Sequence, residues 1–305
     1  MSGIDIVALG EPLVEMVQQP SADAASQIGQ RLFRSGVGGD VLNAMVAAAR
    51  QGARTGLISA VGDDPFGKDI IDFCKFEDIA VDAVRVDPSH PTGLVYIDPD
   101  PTERRFHYAR RESAASHVGP DELVADLIAQ ARVLHLTGVS LAISETMRSA
   151  VYRAVDIAKA HGTLVSFDPN YRSKLWTVEV AKRVMEDLLP LVDIVLPSED
   201  EAITLTGLLP VPDILRHYGR HGARVVILKR GALGAVLATG DTTVVFPAIP
   251  VVAVDSTGAG DSFAGAFLAH YLETDDPVKA ARSATEVAAA TVTGWGATQA
   301  IPRRY

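Results

Sequence analysis

Short runs of aliphatic and β-branched residues alternate along most of this chain with longer segments of helical period. Ile4 to Gly10 (IDIVALG) predicts a buried strand, Asp40 to Gln51 (DVLNAMVAAARQ) a helix closed by Gly52, and Thr55 to Val61 (TGLISAV) the next strand. Further strands are expected at Val133 to Leu136, Leu164 to Phe167, Asp193 to Leu196 and Val225 to Leu228, with helices between most of them. Such alternation is the pattern of βαβ units, so it predicts an α/β fold with a mostly parallel sheet and helices on both faces. Each strand is followed by a polar or glycine-bearing turn: GE at 10–11, GD at 62–63, TG at 137–138, DPN at 168–170, PSED at 197–200 and KRG at 229–231. Ligands in open α/β sheets bind beyond the carboxyl ends of the strands, which makes these turns the places to look for site residues.

Two stretches break that rhythm. Residues 12–18 with 31–36, and 92–97 with 104–109 (TGLVYI and RFHYAR around a DPDPTE turn), read as short antiparallel strands inserted between the sheet elements. They form either a small second sheet or ordinary surface hairpins. No internal repeat or composition shift marks a linker, so residues 1–305 are expected to be one domain.

Composition narrows the function classes. The chain has 305 residues, 48% of them hydrophobic and 22% charged, which is too core-rich for a disordered chain. One cysteine cannot build a disulfide framework, and a reducing, cytoplasmic compartment is expected. With 38 Asp and Glu against 28 Lys and Arg the formal charge is −10, and no long basic run is present, so nucleic acid is not an expected partner. Asp5 and Glu11 interrupt the apolar N-terminal stretch, which therefore reads as neither signal peptide nor anchor, and no segment is long and apolar enough to predict a membrane span.

The most informative segment is Val251 to Ala269, VVAVDSTGAGDSFAGAFLA. A strand over 251–254 is expected to lead into Asp255, Ser256, Thr257, Gly258, Ala259, Gly260 and Asp261, after which a helix of small residues begins. Gly258 and Gly260 have no side chains to block an anion from their N–H groups, and the helix start adds further donors and a positive dipole end. A carboxylate in such a cradle repels a phosphate unless it has a task, and one task is to take a proton from a hydroxyl attacking phosphorus. Asp261 would equally serve as a helix cap.

The segment DSTGAGDSFAGAFLA resembles the C-terminal signature of the PfkB, or ribokinase-like, carbohydrate kinases. Gly38, Gly39, Asp40 and Asn43, followed by Ala44 to Gly52 and GLISAVGDDPFG (56–67), resemble the N-terminal signature of the same family. The resemblance implies a Rossmann-like domain with a small β-sheet lid, with lid strands at about 12–18, 31–36, 92–97 and 104–111. It also implies ATP and Mg2+, with Gly258, Ala259 and Gly260 as the anion hole and Asp261 as the base. Within the family the chain is most similar to 2-keto-3-deoxygluconate kinases, through GEPLVEM (10–16), GGDVLN (38–43), TGLVYI and RRFHYARRESAAS (within 92–116) and VSFDPNYRSKLW (165–176).

That similarity places Gly39, Asp40, Asn43, Tyr108, Arg110 and Arg172 around the substrate. Arginine suits a sugar acid because its planar, permanently charged fork matches a carboxylate. Taken alone, Arg110 would also fit a solvated strand face and Tyr108 ordinary packing, although the two fall on one face of a single strand. For the nucleotide, LKRGALGA (228–235) implies Lys229, Gly231 and Gly234, and the final signature adds Thr257 with Gly258 and Gly260. DIVLPSEDE (193–201) resembles an N-x-x-E motif associated with magnesium, with Glu201 in the acidic position and Ser198 in place of Asn. Thr285 stands where an Asn commonly approaches adenine, and Val95 where some relatives carry a lid tyrosine.

The expected function is thus ATP-dependent phosphorylation of a sugar acid, 2-keto-3-deoxygluconate. The alternatives are another PfkB sugar kinase of fructokinase or ribokinase type, or a noncatalytic sugar-binding protein on the same fold. Pairing of copies through the lid and a monovalent cation near Asp255 are left open. GDDPFGK (62–68) imitates a P-loop, but Asp69 stands where magnesium needs Ser or Thr. Neither zinc spacing nor a histidine cluster occurs, and Cys74 and the Ala-rich Ala280 to Val292 read as core packing.

Overall fold

The computed structural model describes residues 3–19, 31–98 and 105–304. Its strands are β1 (Ile6–Leu9), β2 (Leu13–Gln18), β3 (Phe33–Gly38), β4 (Thr55–Gly62), β5 (Ile79–Ala80), β6 (Val84–Asp87), β7 (Leu94–Asp98), β8 (Arg105–Ala109), β9 (Val133–Thr137), β10 (Leu164–Asp168), β11 (Ile194–Val195), β12 (Val225–Lys229), β13 (Ala235–Thr239) and β14 (Thr242–Phe246). The helices are α1 (Asp40–Arg50), α2 (Pro65–Phe76), α3 (Ala125–Gln130), α4 (Gly138–Ala142), α5 (Glu145–His161), α6 (Val178–Leu188), α7 (Glu199–Thr206), α8 (Val211–Arg220), α9 (Ala259–Thr274) and α10 (Pro277–Thr291).

The main sheet has the order β14-β13-β12-β11-β10-β9-β1-β4-β5, with β6 also paired to β4. It is parallel from β5 to β12 and turns antiparallel only at β13 and β14. Alternate side chains of β1 enter opposite layers, as the period of a strand requires. Val7 and Leu9 pack with Phe167 of β10, Val151 of α5 and Val184 of α6, whereas Ile6 and Ala8 pack with Leu42 of α1 and Phe267 of α9. Helices therefore cover both faces, and the strand ends that carry the polar turns open on one edge.

A second sheet runs β3-β2-β7-β8. The two expected hairpins are present, β2 with β3 and β7 with β8, and a parallel pairing of β2 with β7 joins them. On one face, Leu13, Val95 and Ile97 form a small core with Val17, Phe106 and Tyr108. The Pro99 to Glu103 part of the expected turn, and Arg104, lie outside the described residues.

Three expectations need correction. The valine-rich run 251–254 is not a strand: Val251, Val252 and Val254 are 42%, 86% and 41% exposed, and the N–H groups of Val254 and Asp255 both donate to the Val292 carbonyl. Its β propensity finds no strand to join, because the sheet ends at β14. The helix after the cradle starts at Ala259, so Asp261 sits in its first turn. Arg110 lies one residue beyond the end of β8, so it does not share a strand face with Tyr108.

Other readings hold. Asp64 caps α2 by accepting from the Gly67 N–H at 2.8 Å, which is its role in the false P-loop. Cys74 is fully buried, and burial pushes its thiol up to about 12. One contact in the core bears directly on the site: a Cβ on Gly265 of α9 would stand 1.9 Å from the Ala44 carbonyl oxygen of α1. The missing side chain lets these helices touch backbone to backbone, which brings Asn43 and Asp261 together.

Candidate active site

Every site residue expected from the sequence lines one cavity of 1210 Å³. The carboxyl ends of β9, β10 and β12 deliver Val139, Asp168, Asn170, Arg172 and Lys229 to it, and Ser198 arrives from just beyond β11. The second sheet closes another wall with Leu13, Glu15, Val95, Phe106 and Tyr108. Glu15 lies opposite Val95, and Val95 opposite Tyr108, so they form a row across three strands.

The anion cradle forms at the expected turn but not with the expected donor set Gly258, Ala259 and Gly260, because the Ala259 N–H is already bonded within the turn. Gly258 takes a left-handed backbone (φ 75°), and a Cβ there would lie 2.5 Å from the Ala297 carbonyl oxygen, so glycine is required on two counts. The Ala259 N–H donates to the Ser256 carbonyl at 3.2 Å, and the first intrahelical bond runs from the Ser262 N–H to the Gly258 carbonyl at 2.7 Å. Gly260 and Asp261, with no carbonyl four residues back inside the helix, are the donors left to meet an anion. Lys229 reaches the same place, since a Cβ on Gly260 would come 3.2 Å from its Nζ. Its ammonium pairs with Asp168, and both side chains are largely buried.

Asp261 is held from two sides. Asn43 Nδ2 donates to its Oδ2 at 2.9 Å, and Asn170 Nδ2 donates to its Oδ1 at 3.2 Å. Burial and the neighbouring charge of Asp40 push its pKa up to about 7, Asp168 adding to the rise while Asn43 and Lys229 oppose it. A carboxyl with a pKa near neutrality is suited to exchanging a proton in the transition state. Glu201 is also raised, first by burial and then by Asp168, against the pull of Lys229 and Arg172.

Both arginines that the resemblance assigns to the substrate already have acidic partners. Arg172 Nη1 lies 3.2 Å from Glu201 Oε1, with the Arg172 side chain 43% exposed. Arg110 is buried against Glu11, which also accepts from the Ser113 hydroxyl, and its guanidinium lies 5.5 Å from the centre of the Tyr108 ring. Glu11 follows β1 and Arg110 follows β8, so this pair ties the main sheet to the second one. Gly39 precedes Asp40 and Asn43 at the start of α1, and all three face the cavity.

At the other end, Gly231 and Gly234 line the turn between β12 and β13. Ser198 occupies the N-cap position of α7 without a side-chain capping bond, and its backbone forms an isolated parallel β-bridge with Lys229. Thr257 donates its N–H to Asp255 Oδ1 at 2.8 Å, and Gly296 donates to Asp255 Oδ2 at 2.9 Å. Thr285 faces the cavity with its hydroxyl committed to the Ala281 carbonyl at 2.8 Å. Beside it, Ala288, Ala289 and Val292 with Ile249, Pro250 and Val251 make an apolar slot.

Asp168, Asn170, Glu15 and Glu11 were not among the residues picked out individually from the sequence. The DPN and GE turns do carry Asp168, Asn170 and Glu11 at strand ends, which is the signal that could have found them. Glu15 has no such mark.

Comparison with known proteins follows the same lines. The pfkB family carbohydrate kinase profile matches residues 4–304. The chain is 35% identical to a 2-dehydro-3-deoxygluconokinase of Thermoproteus tenax, covering 98% of this chain and 91% of that protein. It is 32% identical to a probable fructokinase-2 of Arabidopsis thaliana, over 97% and 92%. Among solved structures, a putative ribokinase II from E. coli in complex with ATP and magnesium superposes with a TM-score of 0.90 at 28% identity, covering 98% of this chain and 96% of that one. With its parallel sheet, second sheet and glycine cradle at the head of α9, the chain belongs to the PfkB family of carbohydrate kinases, phosphotransferases that act on sugar hydroxyls.

Proposed function

We propose that this sugar kinase uses ATP to phosphorylate 2-keto-3-deoxygluconate, the sugar acid also called 2-dehydro-3-deoxygluconate, at its 6-hydroxyl. The observation that carries the reading is the placing of Arg110 and Arg172 in the same cavity as Asp261, which gives a carboxylate-bearing sugar two cations while its hydroxyl faces the base. The similarity to the Thermoproteus tenax protein supports it. Asp261 takes the proton as the sugar oxygen bonds to the γ-phosphorus, and the bond from that phosphorus to the ADP oxygen breaks. The N–H groups at 260–261 and the Lys229 ammonium stabilise the charge on the transferring group. The base of the nucleotide would occupy the apolar slot beside Thr285.

Among the described residues no cluster of three or more His, Cys, Asp or Glu gathers to hold a metal. Glu201, with Asp168 near it, is the carboxylate at hand, which fits a magnesium ion held chiefly by phosphate oxygens and water. Magnesium there would neutralise phosphate charge. Among the described residues no helix is long and apolar enough to cross a membrane.

A second reading, a kinase of neutral ketohexoses, is favoured by one observation: each arginine is already paired with a glutamate. ADP release measured across sugar acids and neutral sugars at fixed ATP separates the two. Turnover with 2-keto-3-deoxygluconate well above that with fructose is expected, and activity confined to neutral ketohexoses would overturn the sugar-acid assignment.

A further inference from the structure

Asn170 combines features that ordinary loop packing does not explain. Its backbone is left-handed (φ 37°), a region that non-glycine residues seldom enter and that asparagine tolerates better than most. Its N–H donates to Asp168 Oδ1 at 3.2 Å, while the Asp168 carboxylate also holds Lys229. Asn170 is 4% exposed and lines the cavity; its amide nitrogen donates to Asp261, and its amide oxygen is buried with no hydrogen-bond partner. Asn43 mirrors it across the carboxylate, with its nitrogen on the other Asp261 oxygen and its own amide oxygen likewise buried and unpartnered.

Buried acceptors are normally satisfied, so two carbonyl oxygens left open beside one carboxylate mark a place where donors arrive with a ligand. We infer that Asn170 serves the phosphoryl transfer twice: its amide N–H fixes the rotation of the Asp261 carboxylate, and its amide oxygen accepts a hydrogen bond from a sugar hydroxyl near the reacting one. One amide on each carboxylate oxygen pins the plane of the carboxylate, so that a lone pair stays aimed at the incoming hydroxyl. The Asp168–Lys229 pair braces Asn170 from the side of the phosphate cradle. A sugar lacking the matching hydroxyl would leave the Asn170 oxygen unpartnered, which is how a polar site rejects a deoxy analogue.

The inference rests on Asp261 being the base, and the test separates the two. Asn170→Gly and Asn170→Asp both tolerate the left-handed backbone. Turnover of 2-keto-3-deoxygluconate at saturating ATP is followed from about pH 5 to about pH 9 for both variants, beside wild type and Asp261→Asn. The groups facing Asp261 are Asp40 and Asn43 from α1, Asp168, Asn170 and Arg172 from the end of β10, and Lys229 from β12. Loss of an N–H donor favours the neutral carboxyl, so N170G should lower kcat about 10- to 100-fold and move the acid limb of its pH profile upward. N170D should move it further. Wild-type kcat in N170G, or a lowered kcat with an unmoved acid limb, overturns the positioning role. Near-normal turnover in Asp261→Asn would instead sink the base itself. The wild-type enzyme tests the amide oxygen without any variant. Among substrate analogues each lacking one further hydroxyl, at least one should lose about 10-fold or more in kcat/KM, and uniform tolerance of all of them would overturn it.

Discussion

Gly260 and Asp261 present their N–H groups and a carboxylate from a single turn of chain, whereas the other wall draws Tyr108 and Arg110 from one segment and Arg172 from another far along the chain. The difference extends to charge. The cradle relies on backbone donors, whose direction is set by the helix. Each arginine of the other wall is held by a glutamate from another segment, Glu11 or Glu201, so its pull on a substrate depends on remote neighbours. One end is a local motif and the other is a tertiary assembly, and they should fail differently under substitution.

The largest effect is expected at the local end. Asp261→Asn should lower kcat about 100- to 10,000-fold with nucleotide affinity nearly intact, checked by steady-state ADP release and by titration with ATP. Near-normal turnover would show that the cradle alone suffices.

Next comes a contrast between the two arginines. Arg110→Ala strands the buried Glu11 carboxylate and should cost about 3–5 kcal/mol of unfolding free energy, whereas Arg172→Ala, at a half-exposed pair, should cost about 1 kcal/mol or less. Denaturant melts of both variants check this, and similar losses would remove the distinction. Because of that cost, a fall in activity of Arg110→Ala does not by itself report on the substrate. The double variant Glu11→Gln with Arg110→Met, which removes both charges, should recover stability relative to Arg110→Ala.

A further contrast concerns pH and stability. The raised pKa of Asp261 means that its ionisation costs the fold stability: the cost is absent below the ordinary value of 3.8, grows as pH rises, and is complete above about 7. Asp261→Asn should therefore be more thermostable than wild type at about pH 8, with the gain shrinking towards about pH 4. Either neighbouring amide can turn its carbonyl oxygen towards the new NH2 group. A Tm difference that does not change with pH would argue against the buried charge.

Much of the fold was legible because period and turn chemistry agree along the sheet. Ile6–Leu9, Thr55–Gly62 and Val225–Lys229 form where apolar runs end in Gly or polar turns. The run 251–254 misled because valine reports a preference for extended chain and says nothing about whether a partner strand exists. In the site, Gly258, Gly260 and Asp261 were legible because cradle geometry needs those residue types within one short turn. Asn170 was visible only as part of a strand-end turn, since nothing local shows that its amide reaches Asp261. Glu11 gave a similar partial signal, with its buried arginine partner about a hundred residues away.

By itself the sequence determined the α/β alternation, the strand ends that would carry the site, the glycine cradle and the family resemblance, because each is written in neighbouring residues. Only the tertiary structure decided which charges meet. Pairing of Arg110 with Glu11, of Arg172 with Glu201 and of Lys229 with Asp168, and the two amides on Asp261, all follow from how the sheets and helices pack, including the close approach of α1 and α9 at Gly265. Coulomb and hydrogen-bond energies depend on distances of a few ångströms between groups from separate segments, and those distances exist only once the chain has folded.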